Sequence, residues 1–314
     1  RRSLTAPSSS EIQREIAAID AYGARLLASC EPDYPRALAA IPAPPPLICV
    51  KGDASLFRKT AIALVGARNA SAVGRKMART PAADLGAEGF VIASGLARGI
   101  DGEAHEASLA TGTIAVMAGG IDKIYPPQHD RLYDAIAERG LIVTEAPFGY
   151  TATARDFPKR NRIISGLSMA TVVVEAAERS GSLITARMAL EQGREVMAVP
   201  GSPLDPRAQG SNRLIKQGAA LIETAADVIR QMEGLASPDL FEPSRSGFTH
   251  EAPGDIPPAL IEAVREALSP TPTPLDEIAR AADAPMRLVV AAIAELELDG
   301  SVISHVGGGV SLRP

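Results

Sequence analysis

The sequence predicts a doubly wound α/β domain with a mostly parallel sheet, followed by a small C-terminal winged helix. Three observations predict this arrangement. From residue 61 onward, short apolar runs rich in Val and Ile alternate with longer helical stretches, which is the pattern of repeated strand–helix–strand units. Several of these runs are apolar at every position, as expected for strands that helices cover on both faces. Beyond Met232 the composition shifts to Ser, Pro, Gly and Glu, which separates a second domain from the first.

The first 56 residues form a lead-in to the α/β domain. Residues 11–28 have the spacing of a helix, and a proline-rich stretch from position 32 to position 46 follows them. Such a density of proline favours an extended course of the chain. We therefore expect a helical and proline-rich lead-in over residues 1–56.

The α/β domain is expected to span residues 57–236. Its seven predicted strands cover residues 61–65, 90–93, 114–117, 141–144, 171–175, 195–199 and 219–222. In the first helix of this domain Pro81 occupies an interior position. A proline there should kink the helix or restart it near Thr80.

The C-terminal domain is expected over residues 257–314, after an exposed linker over residues 237–256. Its predicted elements are helices at 258–268, 275–282 and 285–299, strands at 302–305 and 310–312, and a turn at 307–309. Three helices and a hairpin are the elements of a winged helix-turn-helix.

Composition excludes several classes of protein. No apolar run approaches the roughly 20 residues that a bilayer helix needs. The first ten residues lack the apolar stretch of a secretion signal, so we expect a cytoplasmic protein with no membrane partner. Two cysteines and four scattered histidines predict neither a disulfide framework nor a metal site, and we expect no cofactor.

The net charge of −5 is unevenly distributed along the 314 residues. Residues 1–56 carry six basic and six acidic residues, residues 57–256 carry 22 and 23, and residues 257–314 carry four and eight. A domain that holds nucleic acid through bulk charge is basic as a whole, and none of these segments is. A site for a polyanion must therefore be local.

Glycine follows five of the predicted strands, and the glycines stand at positions 66, 95, 119, 120, 181 and 201. Ligands of open parallel sheets bind beyond the carboxyl ends of the strands, so these loops converge on one edge. There glycine lets backbone N–H groups approach an anion closely, and helix N-termini add a positive dipole end. Tight turns and close packing are the alternative explanation for each glycine taken alone.

The phosphate compound is not a dinucleotide. The first strand is followed by Gly66-Ala67-Arg68 rather than by Gly-x-Gly-x-x-Gly, and no acidic residue ends the second strand. The glycine-rich loop of P-loop ATPases is also missing from the sequence. NAD binding and ATP hydrolysis are therefore not expected.

Residues 155–162 hold the densest positive cluster of the chain, with four basic residues and one acidic residue. They lie between the fourth and fifth predicted strands, at the same edge as the glycines. A solvated loop of charge is the alternative interpretation. Phe157, Asn161 and the neighbouring Arg68 favour a binding site, because fixed cations and a ring for one base are typical of single-strand binding. Since the chain has few aromatic residues, binding should be led by the backbone and largely indifferent to sequence.

Catalysis has weaker support in the sequence. Asp101, Glu103 and His105 follow the second strand, where a histidine beside carboxylates could act as an acid–base pair. Residues at a helix start are more often caps and dipole partners. Glu145 and Glu175, at strand ends, can equally order the adjacent loops. We therefore do not expect an enzyme.

From about residue 33 to the C-terminus, the sequence resembles the DNA-processing protein A family, also called DprA or Smf. The resemblance rests on motifs in a specific order and spacing. They are VGAR at 65–68, SGLARGID at 94–101 with His105, YP at 125–126, FPKRNRIISGLS at 157–168, VE at 174–175, SGSLITA at 180–186 and VPG at 199–201.

This resemblance implies a non-enzymatic protein that binds and protects incoming single-stranded DNA. It also implies help in loading the RecA recombinase during natural transformation and recombination, and an extended Rossmann-like domain that forms a homodimer. DNA would lie in a basic pocket at the edge of the sheet. The implied site residues are Arg68, Lys159, Arg160, Asn161 and Arg162 at phosphates, Phe157 at a base, and Ser94, Gly95, Gly181 and Ser182 in the walls.

Two features depart from the family pattern. The family often begins with a small helical domain of the sterile-alpha-motif kind, of which residues 11–28 could be a remnant. The third helix of the winged domain, which would face DNA, carries Arg287 against Glu295, Glu297 and Asp299. A phosphate backbone would repel that face, so we expect this domain to contact protein rather than DNA.

Two other functions fit parts of the sequence. Nucleotide phosphoribohydrolases of the lysine-decarboxylase-like family also use a glycine-lined edge, and Glu175 before Ser180-Gly181-Ser182 could mimic their site. Their Pro-Gly-Gly-x-Gly-Thr pattern is absent from this loop. A duplex-binding repressor built on the winged helix is the other alternative, and the acidic third helix counts against it.

Overall fold

A nine-stranded sheet forms the centre of the N-terminal part of the protein. The computed structural model describes residues 7–233, 257–305 and 309–313. The chain divides into two units, Arg1–Phe241 and Glu242–Pro314. The predicted linker at 237–256 lies outside the described residues, and so does most of the predicted turn at 307–309.

The strands of the first unit are short and mostly buried. They are β1 (Arg25–Ala28), β2 (Leu47–Gly52), β3 (Ala61–Val65), β4 (Val91–Ser94), β5 (Thr113–Val116), β6 (Leu141–Thr144), β7 (Ala170–Val173), β8 (Glu195–Ala198) and β9 (Ala220–Leu221). Their order in the sheet is β1-β2-β6-β5-β4-β3-β7-β8-β9. In the order of the sheet, every neighbouring pair from β6 through β3 to β9 is parallel. Strand β2 pairs antiparallel with both of its neighbours, β1 and β6. The seven predicted strands are all present, with bounds that differ by at most two residues.

The order of the strands reverses at β3. From β3 to β6 the chain moves towards one side of the sheet, and from β7 to β9 it moves towards the other. The loops after β3 and β7 therefore leave neighbouring strands in opposite directions. This switch point is where open α/β sheets form a crevice for a ligand.

Helices cover both faces of the sheet. They are α1 (Ser9–Ala21), α2 (Arg36–Ala39), α3 (Ala72–Ala87), α4 (Ile100–Ser108), α5 (Asp130–Arg139), α6 (Asp156–Leu167), α7 (Gly181–Glu191), α8 (Gln209–Lys216) and α9 (Ala225–Glu233). Ala63 and Val65 of β3 pack towards α6 and α7, while Ile62 and Leu64 pack towards α3 and α4. This alternation explains why β3 is apolar at every position.

The predicted lead-in contributes two strands to the sheet, which was not expected. The prediction of one helix over residues 11–28 is wrong in its last part, because α1 ends at Ala21 and β1 begins at Arg25. Gly23 has φ +73°, a left-handed conformation in which glycine is favoured and at which helices commonly end. Leu27 of β1 is fully buried in the same core cluster as residues of α6 and α7.

Pro81 does not restart its helix. The helix α3 continues from Ala72 to Ala87 with Pro81 inside it, so the predicted break near Thr80 is absent. Pro81 is buried on the face of α3 that also buries Ala78 and Leu85. Burial of this apolar ring offsets part of the cost of a missing backbone hydrogen bond.

The C-terminal unit has the predicted winged-helix elements. They are α10 (Pro258–Glu266), β10 (Thr273–Pro274), α11 (Leu275–Ala281), α12 (Met286–Leu298), β11 (Val302–Ser304) and β12 (Gly309–Leu312). The three strands pair in the order β10-β12-β11, and β10 was not predicted. Val264, Ile278, Val289 and Leu296 form the centre of its apolar core. In the described parts of the chain, no helix is both long enough and apolar enough to cross a bilayer.

Candidate functional site

A cleft of about 880 Å³ lies at the switch point of the sheet. Its walls come from residues 65–69 after β3, from residues 179–182 after β7, and from the first half of α6. Tyr125, Ala97 and Arg207 contribute from other loops. We call this cavity the carboxyl-edge cleft, because it lies beyond the carboxyl ends of β3 and β7.

Phe157 is the centre of a group of cations and rings in this cleft. The guanidinium carbon of Arg68 lies 5.1 Å from the centre of the Phe157 ring, and that of Arg160 lies 6.0 Å from it. The ring of Tyr125 meets Phe157 edge to face, with 5.5 Å between ring centres. Arg68 is exposed and forms no ion pair with any described residue. Its charge is therefore available to a ligand.

Arg160 is a buried cation at the base of the cleft. Only 5% of the residue is exposed, and Nη1 donates a hydrogen bond of 2.8 Å to the carbonyl oxygen of Val116. Burial lowers the pKa of Arg160, the charge of Asp101 opposes this shift and the nearby Arg68 adds to it, and together they bring the pKa to about 10. Arg160 consequently stays protonated at neutral pH.

Gly95 provides the space that Arg160 occupies. A Cβ atom on Gly95 would lie 1.7 Å from Nη1 of Arg160, far inside any allowed contact. The loop that carries Gly95 is held by Asp101, whose Oδ2 accepts hydrogen bonds from the N–H groups of Gly95 and Ala97 at 3.2 and 3.3 Å. Burial raises the pKa of Asp101. The positive charge of Arg160 and these two N–H donors act in the opposite direction and lower it.

The glycines at the strand ends have different roles. A Cβ on Gly66 would lie 2.5 Å from Ile100, and one on Gly201 would lie 2.5 Å from the Cβ of Ala208. Gly120 is similarly close to the carbonyl oxygen of Pro147, at 2.5 Å. Close packing therefore explains these three glycines, in line with the alternative explanation given by the sequence analysis. Gly181 lines the cleft, and a Cβ there would meet nothing within 4 Å.

The basic cluster at 155–162 is helical rather than a loop, and this divides its residues. Phe157, Arg160, Asn161 and Ile164 line the cleft, and their spacing of three and four residues places them on one face of α6. Lys159 and Arg162 do not line it. Lys159 is exposed and lies 3.9 Å from Asp156, and Arg162 forms an ion pair with Glu145.

The other predicted residues support the walls. Ser94 does not line the cleft, because it is fully buried and its hydroxyl donates to the carbonyl oxygen of Leu64 at 2.6 Å. The side-chain amide of Asn161 donates to the carbonyl oxygen of Gly181 at 3.3 Å and so joins α6 to α7. Ser182 lines the cleft next to Gly181.

Among the cleft residues that were not predicted, three carry a charged or aromatic side chain that a ligand could contact: Tyr125, Arg179 and Arg207. Arg179 is exposed, directly precedes the Ser180-Gly181-Ser182 loop, and forms no ion pair with any described residue. Its position before that loop was a signal available in the sequence. Arg207 pairs with Asp205 at 2.8 Å and lies 4.0 Å from Glu175. Its approach to the loop after β7 depends on long-range packing.

The candidate acid–base residues have structural partners. His105 is fully buried, and its Nε2 accepts from the N–H of Leu96 at 3.3 Å while Nδ1 lies 2.7 Å from the hydroxyl of Thr113. Burial lowers the pKa of His105 to about 3, so the ring is neutral. Glu103 forms ion pairs with two arginines of α3.

The carboxylates at the strand ends hold loops and a helix. Glu175 accepts hydrogen bonds from the backbone N–H and the hydroxyl of Ser71, at 3.1 and 2.6 Å. This contact ties the loop after β7 to the start of α3. Glu145 is paired with Arg162 of α6. Of the candidate catalytic residues, Asp101 alone is among the residues that line the cleft. The described residues include no cluster of His, Cys, Asp and Glu suited to a metal ion.

Fold and cleft together define a doubly wound α/β protein with a basic cleft at its switch point. Four arginines and one carboxylate line this cleft, in a chain whose net charge is negative. Residues 25–233 match the family described as DNA recombination-mediator protein A, and residues 249–308 match the DprA winged helix domain. The chain belongs to the DNA recombination-mediator protein A family.

Known proteins with related sequences and folds support this assignment. Protein Smf of Escherichia coli is 41% identical over 288 residues, which cover 89% of this chain and 75% of that protein. The X-ray structure of DNA processing protein A from Streptococcus pneumoniae has a TM-score of 0.67 and 37% identity, over 72% of this chain and 78% of that one. A structure of DNA processing protein A from Helicobacter pylori is described for its single-stranded DNA binding mode. It has a TM-score of 0.62 and 28% identity, and the match covers 67% of this chain and 96% of that one.

Proposed function

We propose that the protein binds single-stranded DNA without sequence preference, and that the carboxyl-edge cleft holds the strand. The observation that carries this proposal is the placement of Arg68 and Arg160 around the Phe157 ring. An aromatic face with fixed cations beside it suits a base and its phosphate together. The Helicobacter pylori relative, whose structure is described for single-stranded DNA binding, supports the same class of ligand.

Each part of the cleft has a distinct task in this proposal. The exposed Arg68 and Arg179 contact phosphates, because they form no ion pair with a described residue. Phe157 and Tyr125 offer ring surfaces on which one base stacks. Arg160 is too buried to follow a phosphate, and it keeps the base of the cleft positive. Stacking and phosphate contacts are common to all bases, so sequence has little influence on affinity.

Family membership supports a proposal about the cellular role. We propose that the protein protects incoming single strands in the cytoplasm and helps load the RecA recombinase during natural transformation and recombination. In this role it acts as a homodimer through its α/β unit and is not an enzyme. The partners found for Glu103, His105, Glu145 and Glu175 support a non-catalytic interpretation, since each of these side chains stabilises a loop or a helix.

An equilibrium titration tests the binding proposal. A labelled oligo-dT strand and a duplex of equal length are titrated with protein at the same salt concentration, and the single strand should bind more tightly. The Arg68→Ala variant should weaken binding of every single-stranded sequence by about tenfold, because a charge-assisted phosphate contact is lost. The matched Arg131→Ala variant, which removes an exposed cation outside the cleft, should bind normally.

Two results would contradict the proposal. A preference for duplex would indicate a repressor built on the winged helix. Release of free base from nucleoside monophosphates would indicate a phosphoribohydrolase. The structure offers the second alternative little support, because the carboxylate of Glu175 is bound to Ser71 and does not line the cleft.

A further inference from the structure

A second cleft, of about 700 Å³, lies at the opposite edge of the sheet. It is lined by Ala61 at the start of β3, Ile114 near the start of β5 and Met169 just before β7. The carboxyl ends of β3 and β7 open into the first cleft, so the height of the sheet separates the two cavities. We call this second cavity the amino-edge cleft. Its outer wall comes from residues 32–37 and 54–60.

The amino-edge cleft is also positively charged. Four cations line it, Arg25, Arg36, Arg58 and Lys59, against the single carboxylate of Asp33. Asp33 lies 4.0 Å from Arg25 and 3.4 Å from Arg58. Arg36 and Lys59 are exposed, and neither has a carboxylate within ion-pair distance among the described residues. The lining therefore carries excess positive charge, although the chain is negative as a whole.

An apolar wall lies beside these cations. Phe57 is half-buried, packs against the main core and lines the cleft. Tyr34 lines it too, and its ring is fixed because the hydroxyl donates to the carbonyl oxygen of Pro45 at 2.6 Å. Cations next to an aromatic surface are the same combination as in the carboxyl-edge cleft, and they suit a chain of phosphates with bases attached.

Helix α6 spans the distance between the two clefts. Its first half, with Phe157 and Arg160, lines the carboxyl-edge cleft, and its last residue, Leu167, lines the amino-edge cleft. The helix has 12 residues, which corresponds to a length of about 18 Å. Lys159 and Arg162 lie between its two ends along the axis, three residues apart and therefore on one face. Lys159 lies 3.9 Å from Asp156 and Arg162 is paired with Glu145, and residues 163–167 are buried. Helix α6 therefore sets the distance between the two clefts and leaves their charges separate.

We propose that the amino-edge cleft is a second contact site for the same DNA strand that the carboxyl-edge cleft holds. This inference rests on the proposed function of the first cleft. The ligand class is a single-stranded polynucleotide held by its phosphates. A strand long enough to reach both clefts gains the contacts of Arg36 and Lys59, and a short strand does not.

Counterion release gives the expected size of the effect. Each phosphate neutralised on a single strand adds about 0.7 to the slope of log affinity against log salt. Loss of Arg36 and Lys59 should therefore reduce the slope by about 1.4 for long strands. At physiological salt this corresponds to about tenfold weaker binding. Short strands should show no change in slope or in affinity.

The test compares two strand lengths on paired variants of the whole chain. Oligo-dT strands of about 6 and about 30 nucleotides are titrated over a range of salt, since single-strand site sizes fall within these lengths. The Arg36→Ala/Lys59→Ala variant should lose affinity for the long strand alone. The matched Arg131→Ala/Lys216→Ala variant makes the same change in net charge at exposed positions outside both clefts, and should bind both strands normally.

A variant that is expected to strengthen binding makes the test independent of any loss of folding. Asp33→Asn removes the one carboxylate of the amino-edge cleft and releases Arg25 and Arg58. It should bind the long strand about fourfold more tightly, because one further phosphate contact is gained. Its affinity for the short strand should not change.

The outcomes separate this inference from the proposed function. If the wild type binds short strands, Arg68→Ala weakens them, and the Arg36→Ala/Lys59→Ala variant binds long strands normally, the second site is absent while the first stands. Equal effects of the double variant on both lengths would also overturn the second site. If short strands do not bind and Arg68→Ala has no effect on long ones, the proposed function itself is wrong.

Discussion

The carboxyl-edge cleft and the third helix of the winged unit are both positions at which DNA-associated folds make contacts, but their side chains differ in kind. The cleft gathers Arg68 and Arg160 around the Phe157 ring, and Arg179 also lines it. On α12, Met286 and Val290 are exposed apolar residues, and the exposed acid Glu297 lies further along. The comparison teaches that a fold supplies a position, whereas charge and aromatic surface decide which ligand that position favours.

The largest expected effect comes from closing the space beside Arg160. In Gly95→Ala the new Cβ displaces the guanidinium from the carbonyl oxygen of Val116 and from Asp101, which should reduce the free energy of unfolding by about 3 kcal/mol. Denaturant unfolding measures this change. Gly181→Ala is the matched control, since a Cβ there meets nothing within 4 Å. Equal stability of the two variants would show that the base of the cleft is not rigid.

Removal of the central ring should have the next largest effect. Phe157→Ala should weaken single-strand binding by about 2 kcal/mol, the amount typical of one base stacked on an aromatic side chain. Anisotropy titrations with oligo-dT and with a mixed sequence should give similar losses, and Phe157→Tyr should retain affinity because it keeps the ring. A loss confined to one sequence would indicate base-edge recognition and would weaken the contrast between the two regions.

Removal of the winged unit should have the smallest effect. A chain without residues 257–314 should bind single strands within about tenfold of the full chain, equivalent to about 1.4 kcal/mol. The reason is that the sequence of α12 carries two acidic residues, Glu295 and Glu297, against the single Arg287. A larger loss in a side-by-side titration would mean that this unit contributes directly to DNA binding, and the comparison would then fail.

Much of the first unit could be predicted because its signals are local. The strands from β3 to β9 are runs of apolar residues bounded by turns, and each can be identified without knowing its neighbours. The strands β1 and β2 are different. Cys49 pairs with Thr144 of β6, almost a hundred positions away, and no local pattern encodes that partnership. The edge of the sheet was missed for this reason.

The candidate site was predicted as a region more accurately than as a set of residues. Arg68, Phe157 and Gly181 come together because they follow β3, lie on α6 and follow β7, and sheet topology places these segments at one edge. Lys159 lies apart from them, because the basic cluster is helical and successive residues point in different directions. The helix phase, rather than the charge density, determines which of these cations face the cleft.

The tight fit between Gly95 and Arg160 couples the substitutions that are tolerated at two positions 65 residues apart in the chain. Both occupy one small volume, so a larger residue at position 95 becomes tolerable only where position 160 has already become shorter. Relatives should therefore vary at these positions as a pair, and any lineage that gives up this glycine should also have given up the buried cation.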